Sequence, residues 1–355
     1  MTRCRGIVPP YLLERLQAVA DEDIARIARE TLAQDELHRS LRRAGAGGTP
    51  GGSPGGGTPG GSPPAAAGPR RTIDDAGGTT TLPGRTVRAE GAVATGDPAA
   101  DEAYDGLGAT WDLYDSAYGR DSLDGHGLPL LASVHYGSGY DNAFWNGEQM
   151  VFGDGDGTYF NRFTIAVDVI GHELTHGVTE QTAGLTYSNQ PGALNESVSD
   201  CFGSMVKQML LGQDAQSADW LIGAGLFTAA VQGVALRSMK APGTAYDDPN
   251  LGHDPQPATM DGYVQTTDDE GGVHINSGIP NHAFYLAAVG IGGTSWEGAG
   301  LVWYDVLTGG SLSAHADFST FAGLTVTAAR ARFGDGSDQA AAVLRAWDQV
   351  KVPLP

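Results

Sequence analysis

The segment GHELTHGVTE, residues 171–180, places two histidines and a glutamate where a helix would bring them together. In a helix, residues four positions apart lie on one face, so His172 and His176 can direct ring nitrogens at one ion. Glu173 follows the first histidine, and its carboxylate can reach a water bound to that ion. This H-E-x-x-H pattern is typical of sites in which two imidazoles hold zinc and the glutamate is a general base.

A catalytic zinc needs a third protein ligand and an open position for water, so a second element must complete the site. The segment GALNESVSD supplies a candidate ligand, Glu196, on a helical pattern of its own. Asp200 lies four residues later on the same face. A carboxylate there can accept the free ring N–H of a ligating histidine and orient the imidazole. The two segments together predict a catalytic zinc site.

These segments carry a family resemblance. VIGHELTHGVTE followed by GALNESVSD resembles the thermolysin family of zinc metalloendopeptidases, and the likeness extends over roughly residues 85–355. Four further segments have the order and spacing of the family: NAFWNG, GLTY, ALRSM and DDEGGVHINSGIPNHAFY. The resemblance implies hydrolysis of internal peptide bonds, with a large hydrophobic residue preferred on the carboxyl side of the cleaved bond.

The resemblance also implies roles for residues outside the metal site. His274 and Tyr187 would stabilise the oxyanion of the tetrahedral intermediate, with Asp269 keeping His274 charged and oriented. The residues expected to bind substrate are Asn142 and Ala143 along a strand edge, Arg237 on a substrate carbonyl, and Leu236, Val169 and Phe163 around an apolar pocket. If these residues had no role in catalysis, His274 would be an ordinary loop histidine and Arg237 part of a surface ion pair. Asn142 and Ala143 would belong to a hairpin turn. The remaining residues would be core residues: Tyr187, Leu236, Val169 and Phe163.

Calcium is a second metal to consider. Members of the family commonly hold two calcium ions near the zinc, and Asp168 is a candidate ligand in this chain. Lys207 stands where a partner acid is expected, and its ammonium would repel calcium and could form a salt bridge instead. Calcium binding is therefore uncertain from the sequence, whereas one zinc ion is expected.

The beginning of the chain differs in composition from the rest. Residues 1–43 show helical spacing of apolar residues, and residues 44–68 form a Gly/Pro-rich tether that cannot bury a core. The segment IVPPYLLERL resembles the short pro-segment of protealysin-like members of the family. We expect it to inhibit the enzyme until the tether is cut, most simply by the enzyme itself. A thiolate of Cys4 reaching the fourth zinc position is a further hypothesis.

The fold class expected is α+β, in two lobes with zinc in the cleft between them. Turn-rich segments indicate a β-rich N-terminal lobe, and helical patterns dominate after about residue 162. The predicted division is residues 1–68 for pro-segment and tether, 69–187 for the lobe that includes the zinc-binding helix, and 188–355 for the helical lobe.

Composition limits the partners. The chain has 42 acidic and 21 basic residues, a net charge of −21, which disfavours nucleic acid and anionic membranes. No apolar run approaches the roughly 18–20 residues of a membrane span. The expected partners are peptide and protein substrates and the chain's own pro-segment, and a monomer is the default. The family suggests secretion, but the first residues lack a signal peptide, so cytoplasmic retention is the alternative.

Two other functions fit the zinc pattern less well. A zinc aminopeptidase would need acidic residues arranged to bind a free amino group, and none stand out near residues 135–150. A non-catalytic binding protein with structural zinc would normally hold the metal with four ligands rich in cysteine, whereas this chain has two cysteines.

Overall fold

The computed structural model describes residues 5–45 and 68–355. The amino-terminal part and the sheet region contain the strands and helices that precede the zinc motif. These elements are β1 (Arg5–Gly6), α1 (Pro10–Leu16), α2 (Glu22–Gly45), β2 (Arg71–Asp75), β3 (Arg85–Ala89), α3 (Pro98–Tyr118), β4 (Leu130–Val134), β5 (Ala143–Trp145) and β6 (Met150–Phe152).

The remaining chain is mainly helical. Its elements are a 3₁₀ turn (Phe163–Ile165), α4 (Val167–Gln181), α5 (Asn189–Leu211), the short strands β7 (Leu221–Ile222), β8 (Arg237–Ser238), β9 (Asp247–Asp248) and β10 (Gly252–His253), a second 3₁₀ turn (Met260–Gly262), α6 (Asp269–Asn276), α7 (Gly278–Ile291), α8 (Ala299–Thr308), α9 (Phe318–Phe333) and α10 (Asp338–Gln349). None of the helices in the described part of the chain has the length and apolar character of a transmembrane segment.

The large sheet has six strands in the order β1-β5-β6-β4-β2-β3. Strand β1 comes from the amino-terminal segment and pairs antiparallel with β5, with Gly6 opposite Phe144. Strand β5 would be an edge of this sheet without β1. The amino-terminal segment therefore covers the edge at which the sequence predicts substrate to bind.

Helix α3 lies within the region whose composition suggested mainly strands, and the sequence analysis did not predict it. Its boundaries carry ordinary helix signals: Asp97 caps the first turn by accepting from the Ala99 amide, and Pro98 is the first helical residue. Gly119 ends the helix with a φ of 62°, a left-handed conformation that suits glycine. These signals could have identified α3.

Helices α4 and α5 pack closely because glycine lies at their contact. A β-carbon at Gly203 would lie 2.3 Å from the carbonyl oxygen of Asp168, so no larger residue fits without moving the backbone. This close approach brings the two helices that carry the predicted metal ligands face to face. The helices further along the chain form a core in which Trp303 and Trp347 stack at 6.0 Å between ring centres.

Candidate active site

The predicted metal ligands converge between α4 and α5. The Nε2 atoms of His172 and His176 lie 3.1 Å apart, and each lies 3.4 Å from one carboxylate oxygen of Glu196. All three side chains are buried. Ligand atoms of a tetrahedral zinc at about 2.0–2.2 Å lie roughly 3.3–3.6 Å from one another, so the spacing fits such an ion.

A bound cation also accounts for an otherwise unfavourable arrangement of buried groups. Glu196 Oε2 is buried and receives no hydrogen bond from any described residue, although it faces two imidazole nitrogens. Buried carboxylate oxygens are costly unless they are paired or bind metal. The donor set of two imidazoles and one carboxylate is the one that catalytic zinc sites use.

Both histidines are oriented through their other ring nitrogens. His172 Nδ1 lies 2.8 Å from Asp200 Oδ1, where the sequence had predicted an orienting carboxylate. His176 Nδ1 lies 2.9 Å from Asn195 Oδ1 and 2.9 Å from Ser199 Oγ, two partners that the sequence analysis missed. They directly precede Glu196 and Asp200 on α5, and their spacing alone did not identify them. With Nδ1 protonated, each Nε2 keeps its lone pair for a metal.

Glu173 is held beside this site by the edge strand. Its Oε2 accepts a hydrogen bond of 3.0 Å from the backbone amide of Trp145 in β5. Glu173 can also contribute an oxygen within 4.8 Å of nitrogens of His172 and His176. This position suits a base that acts on a water between metal and substrate rather than a ligand.

The two predicted oxyanion donors lie beside the predicted metal ligand Glu196. His274 Nε2 lies 3.2 Å from the Tyr187 hydroxyl and 3.5 Å from Glu196 Oε2. The hydroxyl donates to Glu196 Oε1 at 2.5 Å. The structure therefore groups both donors around the metal site.

Asp269 contacts both the ring and the backbone amide of His274. Asp269 Oδ1 lies 2.6 Å from His274 Nδ1, and its Oδ2 accepts from the His274 amide at 2.8 Å. Burial acts to lower the pKa of His274, but the nearby carboxylates of Asp269 and Glu196 outweigh burial and raise it. A left-handed turn with φ of 51° to 91° at residues 269–272 brings Asp269 back onto the imidazole.

Asp200 is the centre of a buried polar network. Its carboxylate accepts two hydrogen bonds of 2.8 Å from Arg237 and one of 2.8 Å from Asn281, besides contacting His172. Burial acts to raise the pKa of Asp200, but Arg237 and His172 hold it at about 2. The interpretation of Arg237 as part of a surface ion pair is wrong, because this pair is fully buried.

The predicted substrate-binding groups contact the amino-terminal segment. The Ile7 amide donates to the Ala143 carbonyl at 3.1 Å, and Arg237 Nη1 donates to the Ile7 carbonyl at 3.2 Å. Asn142 Oδ1 accepts from the Val8 amide at 3.0 Å. Three residues predicted to bind a substrate backbone therefore bind the backbone of the chain's own beginning.

The predicted apolar pocket residues are also buried together. Phe163, Val169 and Leu236 have at most 3% exposure and belong to one continuous apolar cluster. Ile7 belongs to the same cluster with 0% exposure. The Ile7 side chain is therefore excluded from solvent, as the three predicted pocket residues are.

Comparison with known proteins identifies the family. Residues 69–180 match the model of the thermolysin metallopeptidase catalytic domain, and residues 183–352 match that of the thermolysin metallopeptidase alpha-helical domain. The chain belongs to the thermolysin family. The predicted family, enzyme class and two-lobed α+β fold are thereby confirmed, and the protein is a zinc metalloendopeptidase.

Individual members of the thermolysin family resemble most of the chain. An extracellular metalloprotease of Pectobacterium carotovorum is 51% identical over 98% of this chain and 96% of the relative. The protease PrtS of a Photorhabdus strain is 50% identical over 80% of this chain and 76% of the relative. The solved precursor of protealysin from Serratia proteamaculans is 52% identical, with a TM-score of 0.86, over 98% of this chain and 99% of that structure. These matches give no support to an aminopeptidase or a non-catalytic binding protein.

Asp168, the predicted calcium ligand, is paired with a lysine. Lys207 Nζ lies 2.8 Å from Asp168 Oδ2 and 2.9 Å from Asp219 Oδ1, so the salt bridge suggested by the sequence is present. The ammonium also donates to the Leu221 carbonyl at 2.5 Å.

Cys4, for which a contact with the zinc was hypothesised, lies outside the described residues, as does most of the tether at 44–68.

Proposed function

We propose that this protein is the latent precursor of a zinc endopeptidase in which His172, His176 and Glu196 hold the metal. The observation that carries the proposal is the convergence of these three ligands, each histidine oriented through its second nitrogen, beside the carboxylate of Glu173. When bound, zinc supplies Lewis acidity toward a water and toward the scissile carbonyl.

The residues around the metal would move the protons and stabilise the developing charge. Glu173 takes a proton from the attacking water and delivers it to the leaving nitrogen. His274, kept cationic by Asp269, and Tyr187 donate hydrogen bonds to the oxyanion. Asp200 orients His172 and holds Arg237, so it links the metal site to substrate binding.

Substrate would bind as an added strand along β5. Asn142 and Ala143 bind its backbone, and Arg237 holds a carbonyl group near the cleaved bond. Leu236, Val169 and Phe163 form a pocket for a large hydrophobic side chain on the carboxyl side of that bond. The contacts that Asn142, Ala143 and Arg237 make with residues 7 and 8 support the assignment of the backbone-binding groups.

The amino-terminal segment would act as an intramolecular inhibitor. It occupies the β5 edge, and Leu12, Leu13 and Leu16 of α1 are buried. We propose that residues 1–68 are pro-segment and tether, that residues 69–187 and 188–355 are the two catalytic lobes, and that the enzyme cuts its own tether. The solved precursor of protealysin, which resembles almost the whole chain, supports this division.

Several properties follow from the family. Relatives named extracellular support secretion of the processed enzyme, and peptides and proteins are the substrates. We propose a monomer with one zinc ion and no calcium at Asp168, because the Lys207 ammonium already neutralises that carboxylate.

Casein digestion by the processed protein tests the proposal. We expect internal cleavage that a zinc chelator abolishes, and a loss of about 10²–10⁴-fold in Glu173→Gln, which keeps the metal but lacks the base. Glu148→Gln, which changes an exposed carboxylate in the loop after β5, is the matched control. Trimming only from amino termini would favour an aminopeptidase, and undiminished cleavage by zinc-loaded Glu173→Gln would refute the mechanism.

A further inference from the structure

The amino-terminal strand lies in the cleft in a defined register. Strand β1 runs antiparallel to β5, with Arg5 opposite Trp145 and Gly6 opposite Phe144. The next residue, Ile7, donates its amide to the Ala143 carbonyl. The segment therefore follows the edge strand residue by residue, as a bound peptide does in β-augmentation.

Ile7 occupies the place of the substrate residue that follows the cleaved bond. Its amide and carbonyl groups are bound by Ala143 and Arg237, the two groups assigned to substrate backbone. Its side chain is completely buried and apolar, as the residue after the cleaved bond is expected to be. Since Arg237 is assigned to the substrate carbonyl near the cleaved bond and binds the carbonyl of Ile7, the bond in question is Gly6–Ile7.

The position of the base agrees with this register. Glu173 accepts a hydrogen bond from the amide of Trp145, the residue opposite Arg5. Ile7 is held further back along β5, at Ala143. Arg5 therefore lies opposite the strand residue that binds Glu173, and Ile7 lies where Arg237 binds. Gly6 is between them.

Resting on the proposed function, we infer that the peptide bond Gly6–Ile7 is a self-cleavage site of this protein. The oxygen of one water molecule bonds to the carbonyl carbon of Gly6, and the C–N bond to Ile7 breaks. Glu173 transfers the water's proton to the departing nitrogen. The products are a carboxylate at Gly6 and an amino group at Ile7, so the reaction needs no other reactant.

The cut does not release the inhibitor. Residues after the bond stay bound, because Asn142 holds Val8 and the buried leucines of α1 remain in the core. Gly6 also lies so close to Asn142 that a β-carbon would be 2.3 Å from its Nδ2. A side chain at position 6 would displace the amide that holds Val8. The pro-segment is thus an inhibitor that is cleaved in place, and release requires scission of the tether.

The test follows the full-length, zinc-loaded precursor by intact-mass spectrometry and amino-terminal sequencing. We expect a product that begins Ile-Val-Pro-Pro, formed with a first-order rate constant that a tenfold dilution leaves unchanged. Glu173→Gln should not form it. A rate proportional to concentration, or equal cleavage in Glu173→Gln, would overturn cleavage in place by the chain's own site.

Substitutions at position 7 test the register. Ile7→Leu should keep the cut before residue 7, whereas Ile7→Gly should reduce it at least tenfold or shift it, because the pocket loses its side chain. Unchanged cutting before residue 7 in Ile7→Gly would overturn the pocket assignment. If the processed enzyme digests casein while the precursor never yields the Ile7 terminus, this inference fails and the proposed function stands. If casein is not digested either, the proposed function fails as well.

Discussion

Lys207 and Asp168 form a buried ion pair, with the ammonium nitrogen 2.8 Å from the carboxylate oxygen. Asp168 has 1% exposure, and Lys207 has 8%. Burial acts to lower the pKa of Lys207, but Asp168 and Asp219 outweigh it and raise that pKa. The lysine therefore neutralises the buried carboxylate of Asp168 from within the protein.

Substitution of Lys207 should change both stability and the response to calcium. Lys207→Met leaves Asp168 buried without its cation, and we expect a loss of about 3–5 kcal/mol in the free energy of unfolding. Lys207→Glu creates an acidic site with Asp168 and Asp219, so calcium should raise its Tm more than that of the wild type. Thermal unfolding of the zinc-loaded proteins, with and without added calcium, measures both effects. The control is Lys240→Met at an exposed position, and equal calcium responses in all variants would contradict the prediction.

Asp200 should control zinc affinity through His172. Asp200→Asn weakens the acceptor that orients the imidazole, and we expect about 10–100-fold weaker zinc binding. Ser199→Ala is the matched control, since His176 keeps Asn195 as an acceptor. Competition with a chromophoric chelator gives the dissociation constants. Wild-type affinity in Asp200→Asn would show that the contact does not orient the ligand.

We expect Asp35 to help the amino-terminal segment keep the precursor inactive. Its carboxylate accepts hydrogen bonds from Asn142 Nδ2 at 2.9 Å and from the Tyr140 hydroxyl, so it ties α2 to the substrate edge. Hydrogen bonds to a charged group contribute about 1.5–3 kcal/mol. Asp35→Ala should therefore raise the initial activity of unprocessed precursor on a fluorogenic peptide by roughly 10–100-fold.

A matched substitution within α2 controls for general weakening of that helix. Glu30 pairs with Arg26 one turn away on the exposed face of α2, and Glu30→Ala should leave the activity of the precursor unchanged. If both variants gain activity equally, the contact of Asp35 with the substrate edge is not the cause.

We expect the ion pairs of His135 to stabilise the folded protein at neutral pH and to lose this effect at alkaline pH. Its ring nitrogens lie 2.8 Å from Asp97 and 2.9 Å from Asp154. Burial acts to lower the pKa of His135, but the two carboxylates raise it to about 9. Because the folded-state pKa exceeds the ordinary value of about 6.5, the stabilisation is complete below about pH 6.5 and is lost as the pH rises through about 9.

The pH dependence of His135→Gln tests this ion pair. The loss in the free energy of unfolding should be greatest near pH 6, at most about 3 kcal/mol because one pKa unit corresponds to about 1.4 kcal/mol. The loss should shrink toward pH 10, as followed by Tm. His253→Gln, at an exposed histidine, is the matched control. A constant difference between His135→Gln and wild type from pH 6 to 10 would contradict the charged contact.

Short-range spacing explains why much of the metal site could be predicted. His172 and His176, like Glu196 and Asp200, are four residues apart, and helix geometry alone places each pair on one face. Asn195 and Ser199 share the α5 segment, but nothing in their spacing identifies them as partners of His176 rather than of the helix itself. Their role depends on how α4 rotates against α5.

What the sequence alone determined is which side chains share a helix face, where a tether interrupts the chain, and which family the motifs resemble. Only the tertiary structure decided that Arg237 and Asn281 meet at Asp200 and that Ile7 lies against Ala143. The periodicity of a helix or strand is a local property of the backbone. Contacts between distant segments depend on how all the elements pack around a shared core, which no single segment encodes.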